Sequence, residues 1–393
     1  MRNRVTALLA VGFAVFSAAT ILLGTGFARR ARSATTDGPV RTYYIAAEEV
    51  EWDYAPKGKN VLYNRPFNEM EAEMTVSGPH RIGSKYRKAI YREYADATFA
   101  HLKPRPRTDE YLGLVGPVVH AEVGDTVKIV FRNNASQPYS IHPHGVFYGK
   151  DSEGTAYEDG STAAEKAGGA VAPGTTYTYT WQVPERAGPG PNDPSSVVWL
   201  YHSHVDEKRD VNSGLIGAIV VTRRGSARAD GTPKDVDREL VELFMIFNEN
   251  DSWYLDRNIQ AHCSDARGVD RADLNPIGKE GVFTLIGSGF ADSNIKTSIN
   301  GYLYGNMPMM TMRKGERVRW HLVTLGFAFN IHTPHWHGNV VTVGGQRTDV
   351  VSISPAQMLT ADMRPDDPGT WMFHCHISDH MHGGMATLYQ VTP

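Results

Sequence analysis

Cysteine is almost missing from this chain: Cys263 and Cys375 are the only two among 393 residues. They permit at most one disulfide, and that bridge would consume Cys375. Both are therefore read as unbridged, which leaves the fold resting on packed cores and metal. An excess of charge is missing too. Lys and Arg number 40 against 43 Asp and Glu, a net charge of −3 with no basic footprint for nucleic acid. No phosphate-binding glycine motif appears and no stretch keeps a long helical period, which argues against nucleotide-binding α/β folds and helical bundles. Charged residues make up 21% and hydrophobic ones 41%, so disorder is expected only at the termini. The length leaves room for two domains, each with its own core.

One long apolar run stands at the start. Arg2 and Arg4 precede an uncharged stretch from Val5 to Ala28, with Gly26 and Ala28 as small residues at a cleavage point. This is the pattern of export. Residues 1–34 are read first as a cleaved signal peptide and second as an uncleaved membrane anchor, because the run is long enough to span a bilayer. Arg29–Arg30 follows the run, which is the wrong side for a twin-arginine signal.

Beyond residue 40 the pattern is strand after strand. Val127, Ile129 and Phe131 alternate with Lys128 and Arg132; Val318, Trp320 and Leu322 alternate with Arg317, Arg319 and His321. "TTYTYTWQV", "SSVVWLYHSH" and "GLIGAIVV" are further β-rich runs. The expected architecture is all-β, an antiparallel sandwich or Greek-key barrel. The polar, turn-rich segment 223–237 reads as a linker between residues 41–224 and 236–393. "WLYHSH" (199–204) matches "WMFHCH" (371–376) without a gap, and "IHPHG" (141–145) parallels "PHWHG" (334–338). Two motifs recurring in one order imply a duplicated domain.

The densest chemistry lies in "HCHISDHMHGGM", residues 374–385. On a strand, residues i and i+2 share a face. His374 and His376 then look one way and Cys375 the other, and the same rule pairs His142 with His144, His202 with His204, and His335 with His337. Eight imidazoles can share one site, and imidazole suits Cu, Zn, Fe or Ni. A thiolate with two His and a weak Met describes a blue-copper centre. Cys375, His380 and Met385 supply three of its ligands, and His332 is the natural fourth.

These residues resemble the multicopper oxidases, whose four copper motifs are matched in order by "HPHG", "HSH", "HTPHWHG" and "HCHISDHMHGGM". "YYIAAEEVEWDYAP", "RIGSKYRKAIYREY" and "NENDSWYLDRNI" sharpen the likeness to the ceruloplasmin-like members, over residues 41–393, as one two-domain unit. The resemblance implies two tandem cupredoxin-like domains and four coppers per chain. The type 1 copper would be held by His332, Cys375, His380 and Met385, and the type 2 copper by His142 and His335. The type 3 pair would take His144, His202, His204, His337, His374 and His376. Dioxygen is the implied acceptor. Laccase-like oxidation of phenols or aromatic amines ranks first, and Fe(II) or Cu(I) oxidation second. A copper-storage protein and a copper nitrite reductase are the distant alternatives. For iron, the likeness offers Asp379 and Asp292 but Thr297 where relatives have His.

The first domain departs from the pattern: Ser203 stands for Cys375, Tyr139 for His332, Lys208 for His380 and Leu215 for Met385, so one type 1 site per chain is expected. His80, His101, His120, His262, His321 and His382 are read as structural or surface residues. Cys263 is read as a small buried hydrophobe and "NMPMMTM" (306–312) as core. The acidic turns near "KDSEGTAYEDG" are read as solvated; Gly168 and Gly169 replace the carboxylates of the relatives' calcium site, so no calcium is expected. In the ceruloplasmin-like arrangement three two-domain units form a ring, so for a chain with one such unit the resemblance implies a homotrimer with trinuclear clusters between subunits.

Overall fold

The first strand of each half of the chain lies inside a sheet rather than at its edge. In a computed structural model describing residues 37–271, 289–327 and 329–393, Val40–Asp53 pairs antiparallel with Lys85–Tyr94 on one side and parallel with Thr126–Asn133 on the other. Thr176–Gln182 and Phe147–Tyr148 complete five strands. A smaller sheet faces them, ordered Val119–Glu122, Ile216–Thr222, Ser196–His202, His142–Pro143. The C-terminal half repeats the plan. Arg238–Asn248 lies between Ile295–Ile299 and Val318–Val323, followed by Met358–Met363, Val341–Val343 and Gln346–Thr348. Its smaller sheet runs Met310–Arg313, Ala386–Thr392, Gly369–Cys375, Pro334–Trp336. The recurring strand order is the duplication that the paired motifs announced. Segment 1–34 lies outside the described residues. Among those described, no helix is long and apolar enough to cross a membrane.

The pairing is not purely antiparallel, which corrects one expectation. Four pairs are parallel, two per half, because the chain leaves each sheet, crosses through the other and re-enters in the same direction. Alternation follows as predicted in Thr126–Asn133, where Val127, Ile129 and Phe131 are buried and Lys128 is exposed. Val318–Val323 instead is buried throughout, since the N-terminal half covers its outer face. There Arg319 donates to Ser195 Oγ and Ser196 Oγ, and the His321 ring meets Glu239 at 2.9 Å.

Two-sided burial joins the halves. Along Ile216–Thr222, Ile219 and Val221 point into the N-terminal core beside Val127 and Phe131. Ala218 and Val220, with Val198 and Leu200, turn outward into a core shared with Leu240, Val241 and Trp320. Burying an aliphatic side chain stabilises by roughly 1.5–3 kcal/mol, so this row fixes the halves firmly, and 36–393 forms one compact unit. The matching outward row of the C-terminal half is Thr370, Met372, Leu388 and Gln390. Thr370 and Gln390 are exposed, and Met372 and Leu388 only half-buried. One small sheet is covered and its twin is open.

Candidate metal centre

Strand Gly369–Cys375 ends at the thiol, and the short helix Ser378–His382 carries His380 back over it. Cys375 N donates to Met385 O at 3.1 Å and Met385 N to His380 O at 3.0 Å, closing a loop around the sulfur. His332 comes from the facing segment. Its Nδ1 lies 3.1 Å from His380 Nδ1, and the Cys375 Sγ is 3.5 Å from the His380 nitrogen and 4.0 Å from that of His332. All three residues and Met385 are buried. Nε2–H of His332 donates to Asn330 Oδ1 at 3.2 Å, while that oxygen also accepts Ile246 N–H at 2.7 Å. Asn330 thus fixes the tautomer that points the His332 Nδ1 lone pair at the sulfur. Thr333 N–H donates to the sulfur at 3.3 Å. Burial holds His332 well below the ordinary imidazole range and pulls His380 to about 4 despite Asp379; it also pushes the Cys375 thiol up. Neutral imidazoles beside a thiol in a dry pocket form a soft donor set, which fits copper.

The paired histidines gather into two separate groups. In the N-terminal half, His144 Nε2 lies 3.1 Å from His202 Nε2, with the His142 and His204 rings 5.2 Å apart. In the C-terminal half, His374 Nε2 lies 3.1 Å from His335 Nδ1 and 3.0 Å from His337 Nε2, and the His376 ring sits 5.1 Å from that of His335. His142, His144 and His202 could hold one ion, and His335, His337 and His374 another. Each HxH pair straddles a strand end: His202 closes Ser196–His202 and His204 lies beyond it. The rings still share a side, as the strand rule required. Burial above all brings His144 to about 4, His202 to about 3 and His374 to about 4, so each is neutral and ready to bind metal at pH 7.

Backbone and hydroxyl partners invisible to motif reading orient these rings. His142 Nδ1–H donates to Glu153 O at 2.6 Å, and Thr155 Oγ1 lies 3.2 Å from His204 Nδ1. His335 Nε2 faces Asp349 at 3.6 Å. A carbonyl leaves no trace in residue identity. Asn330 could have been found, since it stands two residues before His332.

The N-terminal counterpart of the thiol centre is filled by protein. Ser203 Oγ donates to Asp210 Oδ2 at 2.7 Å, Val205 and Asp206 N–H donate to the same oxygen at 3.1 Å, and Trp253 Nε1 donates to Oδ1 at 2.9 Å. Tyr139 OH meets Tyr254 OH at 3.1 Å. Leu215 is buried, and Lys208 turns out to Asp251. Ser203, Tyr139, Lys208 and Leu215 thus do not come together as a set of soft donors.

Of the iron-related acids, Asp379 is exposed beside His380, whereas Asp292 accepts Gly289 N–H at 3.3 Å on a separate short helix. Thr297 is buried against the His380 helix: a Cβ added at Gly383 would lie 2.4 Å from its Oγ1. Met307, Met310 and Met312 are core, with Met309 exposed, and Cys263 is buried and free. His80 pairs with Asp265, and His120 with Glu239. The acidic turn after His144 is solvated as expected over 156–160, and within it the Lys150 ammonium sits among Glu153, Tyr157 and Asp159.

Fold and site together define a β-sandwich protein with one cysteine–histidine centre and two open histidine groups. The chain belongs to the multicopper oxidases: family models described as multicopper oxidase match residues 112–226 and 276–393. Membership implies copper. The chain is 42% identical over 363 residues to mouse hephaestin, covering 91% of this chain and 30% of that one. To human "Ferroxidase HEPHL1" it is 44% identical, covering 89% and 29%, and to human ceruloplasmin 39%, covering 89% and 30%. It thus spans about three tenths of the length of these relatives. A solved multicopper oxidase superposes with TM-score 0.54 at 20% identity, covering 90% of this chain and 89% of the other. The blue copper oxidase of Nitrosomonas europaea gives 0.53 at 16%, covering 90% and 86%. These two likenesses concern the fold.

Proposed function

We propose that this chain is an oxidase that takes single electrons from a reduced metal ion and delivers four of them to dioxygen. The observation that carries this is Cys375, whose sulfur faces His332 and His380 while its chain neighbours His374 and His376 belong to the histidine group. One strand end therefore offers a covalent path between the two centres. His332, Cys375, His380 and Met385 are assigned to type 1 copper, and His142 and His335 to type 2. His144, His202, His204, His337, His374 and His376 are assigned to the type 3 pair. When bound, four coppers supply one-electron chemistry matching the four electrons dioxygen requires. The protein holds ring orientations, keeps the imidazoles neutral and excludes water from the sulfur.

Fe(II) now ranks first as donor, ahead of the phenols expected from sequence, because a relative at 44% identity is named a ferroxidase and Asp379 stands exposed beside His380. A laccase-like reading is kept second because Thr297 leaves no imidazole among the acids; Cu(I) is the third donor to test. Steady-state kcat/KM for Fe(II), Cu(I) and a substituted phenol on one copper-loaded sample decides the order. Phenol outrunning Fe(II) would reverse it. A sample without a blue band or oxygen uptake would point to copper storage instead.

We further infer two domains, 41–224 and 236–393, and a homotrimer that closes head to tail. Among the described residues, no ring contact joins the two histidine groups of one chain. The open outward row Thr370, Met372, Leu388 and Gln390 is the twin of the row that already packs on the other half. A neighbour's free N-terminal large sheet would cover it, and each cluster would take four histidines from each of two subunits. Inactive His202→Ala and His376→Ala chains, unfolded together and refolded with copper, should then regain about a quarter of the wild-type clusters. Mixed trimers without activity would refute the shared site. Export is proposed from residues 1–34; N-terminal sequencing of secreted protein would tell cleavage from anchoring.

A further inference from the structure

The turn after the first histidine pair is built in two parts. Its first part is bolted to the large sheet: Tyr177 OH donates to Asp151 O at 2.8 Å and Trp181 Nε1 to Ser152 O at 3.2 Å. Its second part, 153–159, touches the histidines. Glu153 O accepts the His142 ring proton, and Thr155 Oγ1 contacts both Nδ1 and the carbonyl of His204. Gly154 makes the reversal at φ +77°, so close that a Cβ there would lie 2.2 Å from Ile141 O. Any shift of this second part is passed directly to the histidine strand.

What closes the second part is an ammonium. Lys150 Nζ lies 2.5 Å from Asp159 Oδ2 and 2.9 Å from Tyr157 OH, and it also pairs with Glu153 Oε2. Tyr157 OH in turn donates to Glu153 Oε1 at 3.0 Å. Without a cation between them, the Glu153 and Asp159 carboxylates would repel and the turn would open. The neighbouring Lys166 stands farther off, 4.0 Å from Asp159.

We propose that Lys150 is a positioning residue for the N-terminal histidine group: its ammonium gathers Glu153, Tyr157 and Asp159 and thereby sets the rings of His142 and His204. The role rests on the reading of these histidines as copper ligands, and a partner of a ligand's partner acts through ring orientation rather than through contact with substrate. Lys150→Met keeps the length of the side chain and removes the charge; Lys150→Arg keeps the charge. In the copper-free full-length chain, labelled with 15N-histidine, wild type and Lys150→Arg should show His142 as a single Nδ1–H tautomer, and Lys150→Met a mixture. After copper loading, Lys150→Met should bind type 2 copper roughly tenfold or more weakly, read from its EPR signal, with the blue band unchanged.

A Lys150→Met protein with an undisturbed tautomer and full type 2 affinity would overturn the proposal. So would loss of the blue band together with the type 2 signal, since that marks general unfolding. Failure of Lys150→Arg to restore the tautomer would overturn the charge argument. Wild-type protein lacking any type 2 signal would sink the copper assignment, while the tautomer comparison still decides the role of Lys150.

Discussion

Ser203 and Cys375 occupy the same place on the same strand of a duplicated fold, each between two histidines. Around Cys375 two imidazole nitrogens and a sulfur face one another, with Asn330 behind the His332 ring and the Thr333 N–H on the sulfur. Around Ser203 a carboxylate has moved in. Asp210 collects three donors on one oxygen and the Trp253 indole on the other. Burial pushes the Asp210 carboxyl up, against the hydrogen bonds from Ser203 and Trp253. The lesson is that a metal centre is not lost by deleting a ligand alone. A dry cavity lined with polar groups must be refilled with matched donors and acceptors.

The comparison can be broken most severely at the sulfur. Cys375→Ser should abolish the blue absorption and donor oxidation while the histidine groups keep their copper, because a hydroxyl is a poor substitute for a soft thiolate. The reverse exchange, Ser203→Cys with Tyr139→His, should create no second blue centre, since Asp210 still occupies the pocket. A second blue band in that variant would show that ligand identity alone decides. Next in size, Asp210→Ala strands four donors in a buried site and should lower stability by about 3 kcal/mol. Denaturant unfolding measures this, and the Cys375 absorption should survive in the folded fraction.

Asp379 and Glu207 stand at equivalent positions in the two halves. Asp379→Ala should reduce kcat/KM for Fe(II) roughly tenfold and leave phenol turnover nearly unchanged, whereas Glu207→Ala, whose carboxylate faces His204 at 3.5 Å, should not discriminate between the donors. Equal losses for both donors in Asp379→Ala would mean that it only orients His380.

The smallest effect concerns the seam between the halves. Burial alone would raise the Glu239 carboxyl, but its hydrogen bonds to His120 and His321 outweigh that and hold it well below its ordinary 4.5. A carboxyl with a depressed folded-state pKa stabilises above its unfolded value, and that contribution disappears as pH falls through the folded one. Glu239→Gln should cost about 1 kcal/mol at pH 7. The gap to wild type, followed by thermal melting, should narrow below about pH 4.5.

Much of this was legible before any coordinates. Alternation marked Thr126–Asn133 and Val318–Val323 as strands, and the HxH spacing anticipated that the rings of each pair lie together, although one histidine of each pair lies beyond its strand. The parallel pairings were not legible, since they depend on where a long crossover returns rather than on local pattern. Nor was the plug at Ser203: Asp210 lies seven residues on and looks like any helix-surface acid until Trp253 arrives from the other half. The Lys150 turn was read correctly as solvated, but its internal bonding was not legible: only the fold shows the ammonium inside the ring of acceptors.

The unequal outward rows of the two small sheets carry one more consequence. Val198, Leu200, Ala218 and Val220 are sealed inside a single chain, whereas Thr370, Met372, Leu388 and Gln390 form the open face that the proposed homotrimer would cover. The first joint is indifferent to dilution; in the proposed homotrimer the second would obey mass action. On dilution, then, colour and catalysis should part company: the blue centre belongs to each chain and persists, while oxygen uptake per chain falls as the assembly comes apart.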